Sequence, residues 1–201
     1  MNPRPDSRQA ILDRLRSMPV DTAPLPDVDP TRLVQFDDPI AKFAEMLETV
    51  GGQLHHVDGP EQIGQKLDSI KEFSTARQIV SMVPEAVVGN VDPAEIHDPH
   101  ALSSLDWVIA RGEFMVAENG AIWIDGNTLP HRVLLFITQY LAIVVSKSQV
   151  VHNLHEAYQR IGNPRPTFGI FVAGPSKTAD IEQSLVLGAH GCRALQVFLI
   201  P

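Results

Sequence analysis

Two short stretches of this chain hold residue types that could do chemistry. The first is Val172-Ala173-Gly174-Pro175-Ser176-Lys177-Thr178-Ala179-Asp180-Ile181-Glu182. An apolar run from Phe168 to Ala173 enters it, and an amphipathic run through Ile181, Leu185 and Val186 leaves it. That order predicts strand, tight turn and helix. Gly174 permits a φ-positive backbone, and Pro175 needs no amide partner. Ser176 or Thr178 would cap the first helical amides, with Asp180 and Glu182 facing the positive end of the dipole. Such a helix end, with Lys177 beside it, is a place for a substrate anion. The same residues also read as a well-capped crossover that binds nothing, and the GxxxxGK[ST] spacing of a phosphate loop is absent.

The second stretch is Val116-Ala117-Glu118-Asn119-Gly120-Ala121-Ile122, a three-residue polar turn between apolar runs. Asn-Gly is a strong hairpin signal. A carboxylate on a strand-end turn, beside backbone amides, could also attack a thioester or act as a general base, which makes Glu118 the leading candidate for a reactive group. His131, after Leu129-Pro130, and His190, in Gly188-Ala189-His190-Gly191, could each move a proton or hold an anion near neutral pH. Either could equally be a turn histidine bonded to backbone.

Other candidates are weaker. His152 and His155 stand at i and i+3 of an expected helix, but a third ligand at metal spacing and the HExxH pattern are missing, so no metal site is assigned. His55 and His56 neighbour one another on a strand and point to opposite faces. His97-Asp98-Pro99-His100 reads as a polar turn. No GxGxxG follows a strand, so no nucleotide cofactor is written here, and Gly51-Gly52 reads as a helix stop. Cys192, with apolar neighbours ahead of it, reads as a packed small residue.

The elements that must position these residues alternate. Helices are expected over Asp6 to Met18, Asp38 to Val50, Glu61 to Phe73 and Ser148 to Ile161, from apolar positions at helical spacing. Strands are expected over Gln53 to Val57, Gln78 to Val83, Trp107 to Ala110, Phe114 to Ala117, Ala121 to Ile124, Arg132 to Thr138, Leu141 to Val145 and Ala194 to Ile200. The alternation predicts a Rossmann-like α/β domain, a parallel-rich sheet flanked by helices with a small β-rich insertion in the middle. Pro19 to Pro30 carries four prolines and reads as a linker, dividing residues 1–30, an arm, from 31–201, the main domain.

Composition narrows the classes. The chain has 201 residues, 44% hydrophobic and 20% charged, ordinary for a globular domain with one substantial core. Its net charge of −8 argues against nucleic-acid binding, which needs clustered Lys and Arg. No apolar run is long enough to span a bilayer, and the N-terminus lacks a basic segment followed by an apolar core, so a cytoplasmic protein is expected. A single cysteine excludes an internal disulfide and a cysteine-ligated iron–sulfur cluster in this chain.

The run GPSKTADIEQSLVLGAHG, Gly174 to Gly191, closely resembles the C-terminal signature of the LUD-domain family, the lactate utilization protein C group. Members of that group carry a glycine-proline-serine turn, a threonine-alanine-aspartate-isoleucine-glutamate helix start and a glycine-x-histidine-glycine turn at this spacing. Cys192 stands where the family usually has proline. Glu118 and Gly120 match the family's glutamate-threonine-glycine, with Asn119 departing, and Pro130-His131 matches a proline-histidine pair after the central strand. The likeness extends from about Phe36 to Pro201 and is weak before Leu105.

What this resemblance implies is a three-layer sandwich related to ribose-phosphate isomerase, glucosamine-phosphate deaminase and CoA transferase. Type I CoA transferases hold their nucleophilic glutamate in a glutamate–asparagine–glycine turn, which Glu118-Asn119-Gly120 resembles. The resemblance also implies an accessory, non-redox subunit of a system oxidising L-lactate to pyruvate, with iron–sulfur clusters carried by separate partner proteins. Its site residues would be Glu118, His131 and His190 for chemistry, and Gly120, Gly174, Ser176, Lys177, Thr178 and Asp180 for a small carboxylate or phosphate. The alternative is a stand-alone enzyme acting on an acyl group or sugar phosphate through Glu118. A homodimer is possible in either case.

Overall fold

A computed structural model describes residues 7–18, 28–162, 168–175, 177–179, 185–187 and 191–201. The chain divides into two compact units, Met1–Arg32 and Leu33–Pro201. In the first, helix α1 (Ser7–Ser17) leaves Ile11 and Leu15 well exposed, at 61% and 59%. A 3-10 turn follows at Pro30–Arg32. Before it, the Asp29 carboxylate accepts from the Thr31 hydroxyl at 2.7 Å and the Thr31 amide at 3.0 Å, and these bonds hold its carboxyl below the ordinary carboxylate range.

The second unit opens with helix α2 (Pro39–Thr49). Asp38 caps it through bonds from the Ile40 and Ala41 amides, and proline at the first position has no amide to satisfy. Phe43 and Leu47 face inward and are fully buried, and Gly51, at φ +91°, ends the run. Strand β1 (Gln53–His56) is followed by α3 (Glu61–Asp68) and α4 (Lys71–Ser74). The sequence predicts one helix over Glu61 to Phe73. It breaks at Ile70, whose backbone is extended, and the break aims Phe73 edge-on at Trp107, with ring centroids 5.3 Å apart.

Strand β2 (Ile79–Ser81) leads into two 3-10 turns, Pro93–Glu95 and Pro99–Ser104, each capped by an aspartate, Asp92 or Asp98. The backbone amide and ring of His100 hold the Asp98 carboxyl below its usual range. Strands β3 (Trp107–Arg111), β4 (Phe114–Val116) and β5 (Ala121–Asp125) follow in the places the sequence predicts. The strand expected over Arg132 to Thr138 is instead one helical turn, α5 (Leu134–Ile137), with Leu134 and Leu135 buried. A short unbroken apolar run has no periodicity to separate the two states.

Strand β6 (Tyr140–Ser146) is the centre of the core. The helix expected from Ser148 begins late: Val150–Val151 forms strand β7, and α6 runs Leu154–Ile161. Two β-branched residues suit a half-buried pleat, and Asn153 supplies the true cap. His152 therefore precedes the helix, and the expected shared helical face with His155 does not form. Strand β8 (Gly169–Val172) precedes β9 (Lys177–Ala179) and β10 (Leu185–Leu187), and β11 (Ala194–Ile200) closes the chain. The helix expected after Gly174-Pro175 is overturned, since β9 and β10 pair antiparallel as a hairpin.

The main sheet has five parallel strands in the order β1-β11-β6-β3-β2. A second sheet, β7-β4-β5-β8, joins the expected β4–β5 insertion to two strands from later in the chain. One face of the main sheet packs Trp107, Ile109, Val144 and Phe198 against Ile63 and Leu67 of α3 and Phe73 of α4. The other packs Val108, Ile143 and Val197 against α2, α5 and the inner face of the second sheet. On the outer face of that sheet, Phe114 and Val116 pack on Ala157 of α6. This is the mixed α/β architecture the sequence predicts, a mainly parallel sheet flanked by helices.

Candidate functional site

Strand register brings the two singled-out stretches together. β5 pairs antiparallel with β8, and the register ends at Ile122 opposite Val172, so Gly120 and Gly174 each lie two residues beyond the last pair, at the same end of the two strands. Both glycines have positive φ, +68° and +73°. Helix α2 lies directly on them. A Cβ on Gly120 would come within 2.7 Å of the Leu47 amide nitrogen, and one on Gly174 within 2.5 Å of the Val50 carbonyl oxygen. Each glycine therefore serves twice, for its backbone conformation and for the close approach of a helix.

Glu118 has a partner elsewhere. Its Oε1 accepts from the Leu154 amide at 2.9 Å, the first residue of α6, and its own amide donates to the His152 carbonyl. The carboxylate thus satisfies a free amide at the positive end of a helix, a structural use of the charge. We expect Glu118→Gln, which keeps an acceptor oxygen, to cost under about 1 kcal/mol, and Glu118→Ala about 1–2 kcal/mol. Urea unfolding of the two variants checks this, and equal losses would refute the capping role.

Around the same helix end lies a polar network that the sequence reading missed. Asn153, 1% exposed, accepts from the Glu156 amide through Oδ1 and donates through Nδ2 to the Val34 carbonyl. Glu156 accepts from the His152 amide and from Gln35 Nε2. His152 Nδ1 accepts from the Phe36 amide at 3.0 Å. Asn153-x-x-Glu156 is a capping-box spacing, so its signal was present in the sequence.

His131 is half-buried, and its Nε2 donates to the Ile96 carbonyl at 2.6 Å, which fixes Nε2 as the protonated nitrogen. Lys177 and Thr178 lie on β9. Ser176, Asp180 and His190 lie outside the described residues.

A cleft of 440 Å³ adjoins Gly174. Val50, after the last turn of α2, forms one wall, and Leu135 and Phe136 of α5 another. Leu141 and Cys192 form its base at the N-terminal ends of β6 and β11, and β8 with Gly174-Pro175 borders the remaining side. Among the described residues, those that line the cleft carry no charged side chain. Glu118 and His131 are not among them. Phe136 faces Phe168 with ring centroids 6.4 Å apart, and the Arg132 guanidinium sits 5.2 Å from the Phe168 centroid, but neither Phe168 nor Arg132 lines the cleft. Phe136 is a cleft residue that sequence reasoning missed, because an expected strand occupied its place.

Comparison with known proteins bears on this arrangement. The LUD domain matches residues 97–200, over half of the chain. The chain belongs to the LUD-domain family. It is 36% identical over 90 residues to lactate utilization protein C of Halalkalibacterium halodurans, covering 41% of this chain and 39% of that protein. To the protein of the same name from Geobacillus thermodenitrificans it is 34% identical over 89 residues, 41% of this chain and 37% of that one. The chain thus matches about two-fifths of the length of these curated relatives. A crystal structure of a DUF162 family protein from Deinococcus radiodurans shares the fold, with a TM-score of 0.56, 20% identity, and coverage of 81% of this chain and 96% of that one. Among the described residues, no helix is long and apolar enough to cross a membrane.

Proposed function

We propose that this protein is a non-redox accessory subunit of a system that oxidises L-lactate to pyruvate. The observation that carries this reading is the likeness, over about 90 residues, to proteins named lactate utilization protein C. The oxidation removes two electrons and two protons from lactate. In this reading the electrons pass to separate iron–sulfur proteins and the protons to solvent. Cys192 is the one cysteine of the chain and is buried, so no set of thiolates exists here to hold a cluster. The chain's own part is to bind an organic acid in the cleft beside Gly174 and Pro175, with Ser176, Lys177 and Thr178 following in the chain.

A reading in which Glu118 is a nucleophile has less support. One of its carboxylate oxygens is committed to the Leu154 amide, and the residue does not line the cleft. The two readings part in the native host. We expect deletion of the gene to abolish growth on L-lactate but not on pyruvate, and the tagged protein to co-purify with iron–sulfur proteins. Normal growth of the deletion strain on L-lactate would overturn the proposal. An acyl adduct formed from acyl-CoA and absent in Glu118→Gln would favour the alternative.

A further inference from the structure

Among the described residues, three hydrogen bonds tie segment 34–36 to the start of α6, and one of them depends on a titratable ring. Asn153 Nδ2 donates to the Val34 carbonyl at 3.0 Å, and Gln35 Nε2 donates to Glu156 Oε1 at 2.6 Å. In the third, the Phe36 amide donates to His152 Nδ1 at 3.0 Å. The Phe36 ring lies near the imidazole, with centroids 6.3 Å apart and planes inclined by 20°. A backbone amide can only donate, so this bond exists only while Nδ1 carries no hydrogen. A protonated imidazole has hydrogen on both nitrogens and accepts at neither. Histidine is also the side-chain type that ordinarily gains its proton between pH 8 and pH 5.

The charges around the ring differ on its two sides. On the α6 side stand two carboxylates. Glu156 Oε2 accepts from the His152 amide, and Glu118, on the turn between β4 and β5, accepts from the Leu154 amide. His155, in the first turn of α6, is exposed, and β7 contributes Val150 and Val151, which carry no charge. On the other side, Lys42 of α2 lies 5.9 Å from the Phe36 ring centroid and pairs with Glu45 at 2.9 Å. Asp37 and Asp38 follow Phe36 and are exposed, and Asp38 is committed to the cap of α2. A charged ring therefore meets an amide hydrogen on the strap, with Lys42 beyond it, and carboxylates toward α6.

We propose that His152 is a proton-operated latch, which holds segment 34–36 on α6 while its ring is neutral and releases it at Phe36 when the ring is charged. The latch is closed at higher pH and opens as pH falls. Glu118 and Glu156 draw the charged ring toward α6, away from the strap. The strap runs through Asp38 into α2, so release is felt at the entry of the helix that rests on Gly120 and Gly174.

Amide exchange of the full chain, followed by NMR from about pH 7.5 to about pH 5.5 with the intrinsic pH dependence divided out, tests this. Protection of the Phe36 amide should fall about tenfold, the scale of one lost hydrogen bond. The Leu154 amide, held by Glu118, and those of Ile143 and Val197 in the main sheet should keep theirs. The fall should share its midpoint with the ring nitrogen shifts of His152. His152→Asn offers an amide oxygen near the place of Nδ1 and gains no proton, so Phe36 protection should become independent of pH. Constant Phe36 protection in the wild type, a midpoint apart from that of the ring, or the same pH dependence in His152→Asn would each overturn the proposal. The first two are read on the wild-type protein and decide the matter whether or not the variant folds. A loss shared equally by Ile143 and Val197 would also overturn it, because the response would then be global. None of these readouts depends on the subunit reading or on what the cleft binds.

Discussion

Gly120→Ala should destabilise the protein by more than about 3 kcal/mol, although it adds a single methyl group. Two costs combine. The backbone at this position has φ +68°, which an L side chain adopts at about 1–2 kcal/mol. The new Cβ would also stand 2.7 Å from the Leu47 nitrogen, 2.9 Å from the Met46 carbonyl carbon and 3.0 Å from the Leu47 Cα. These are backbone atoms inside α2, so no rotamer change relieves them. The helix must lift, and with it Phe43 and Leu47, both fully buried, worth about 1.5–3 kcal/mol each if exposed. Gly162 separates the two costs. It has φ +74° and ψ −163°, a region open essentially to glycine alone, but a Cβ there meets nothing within 4 Å, so Gly162→Ala pays a conformational cost alone, about 1–3 kcal/mol. Urea denaturation of both variants gives the comparison, and equal losses would show that α2 does not rest on Gly120.

The same contact explains which parts of the site could be read from the sequence. Asp38 before Pro39, and the apolar positions Phe43 and Leu47, are local signals, and α2 forms where they place it. Strands β3 to β5 are short apolar runs broken by Gly112 and by Glu118-Asn119-Gly120, and they too follow local grammar. That the turns holding Gly120 and Gly174 lie at the same end of one strand pair depends on the register of β5 with β8, across some fifty residues, and no local pattern carries it. Glu118 illustrates the limit in another way. The residue types of its turn name no partner for the carboxylate, and that partner, the Leu154 amide, is set by tertiary packing.

The errors share a cause. Leu134-Leu135-Phe136-Ile137 has no periodicity, so its helical turn was open to a strand reading. Ile181, Leu185 and Val186 have helical spacing, yet Leu185–Leu187 pairs with Lys177–Ala179 as a hairpin. Without a helix at that turn, the argument from a helix dipole no longer applies to Gly174 to Thr178.

Asn153→Ala should cost about 1.5–3.5 kcal/mol and should act locally. Asn153 caps α6 through the Glu156 amide and holds the Val34 carbonyl with its side-chain NH₂, while only 1% exposed. Alanine removes the cap, about 1–2 kcal/mol, and the bond to the Val34 carbonyl, about 0.5–1.5 kcal/mol. Residues 34–36 are tied to α6 by three side chains, Asn153, Glu156 and His152, so weakening one loosens a strap rather than a core. Native-state hydrogen exchange distinguishes the two. The amides of Phe36, Leu154 and Glu156 should lose protection, while those of Ile143 and Val197, in the middle of the main sheet, change only as global stability does. Asn153→Ser keeps a capping oxygen but cannot reach both partners, and it should fall between wild type and alanine. If all amides lost protection together in Asn153→Ala, the strap would be one cooperative unit with the sheet. Segment 34–36 would then be part of what holds the sheet closed.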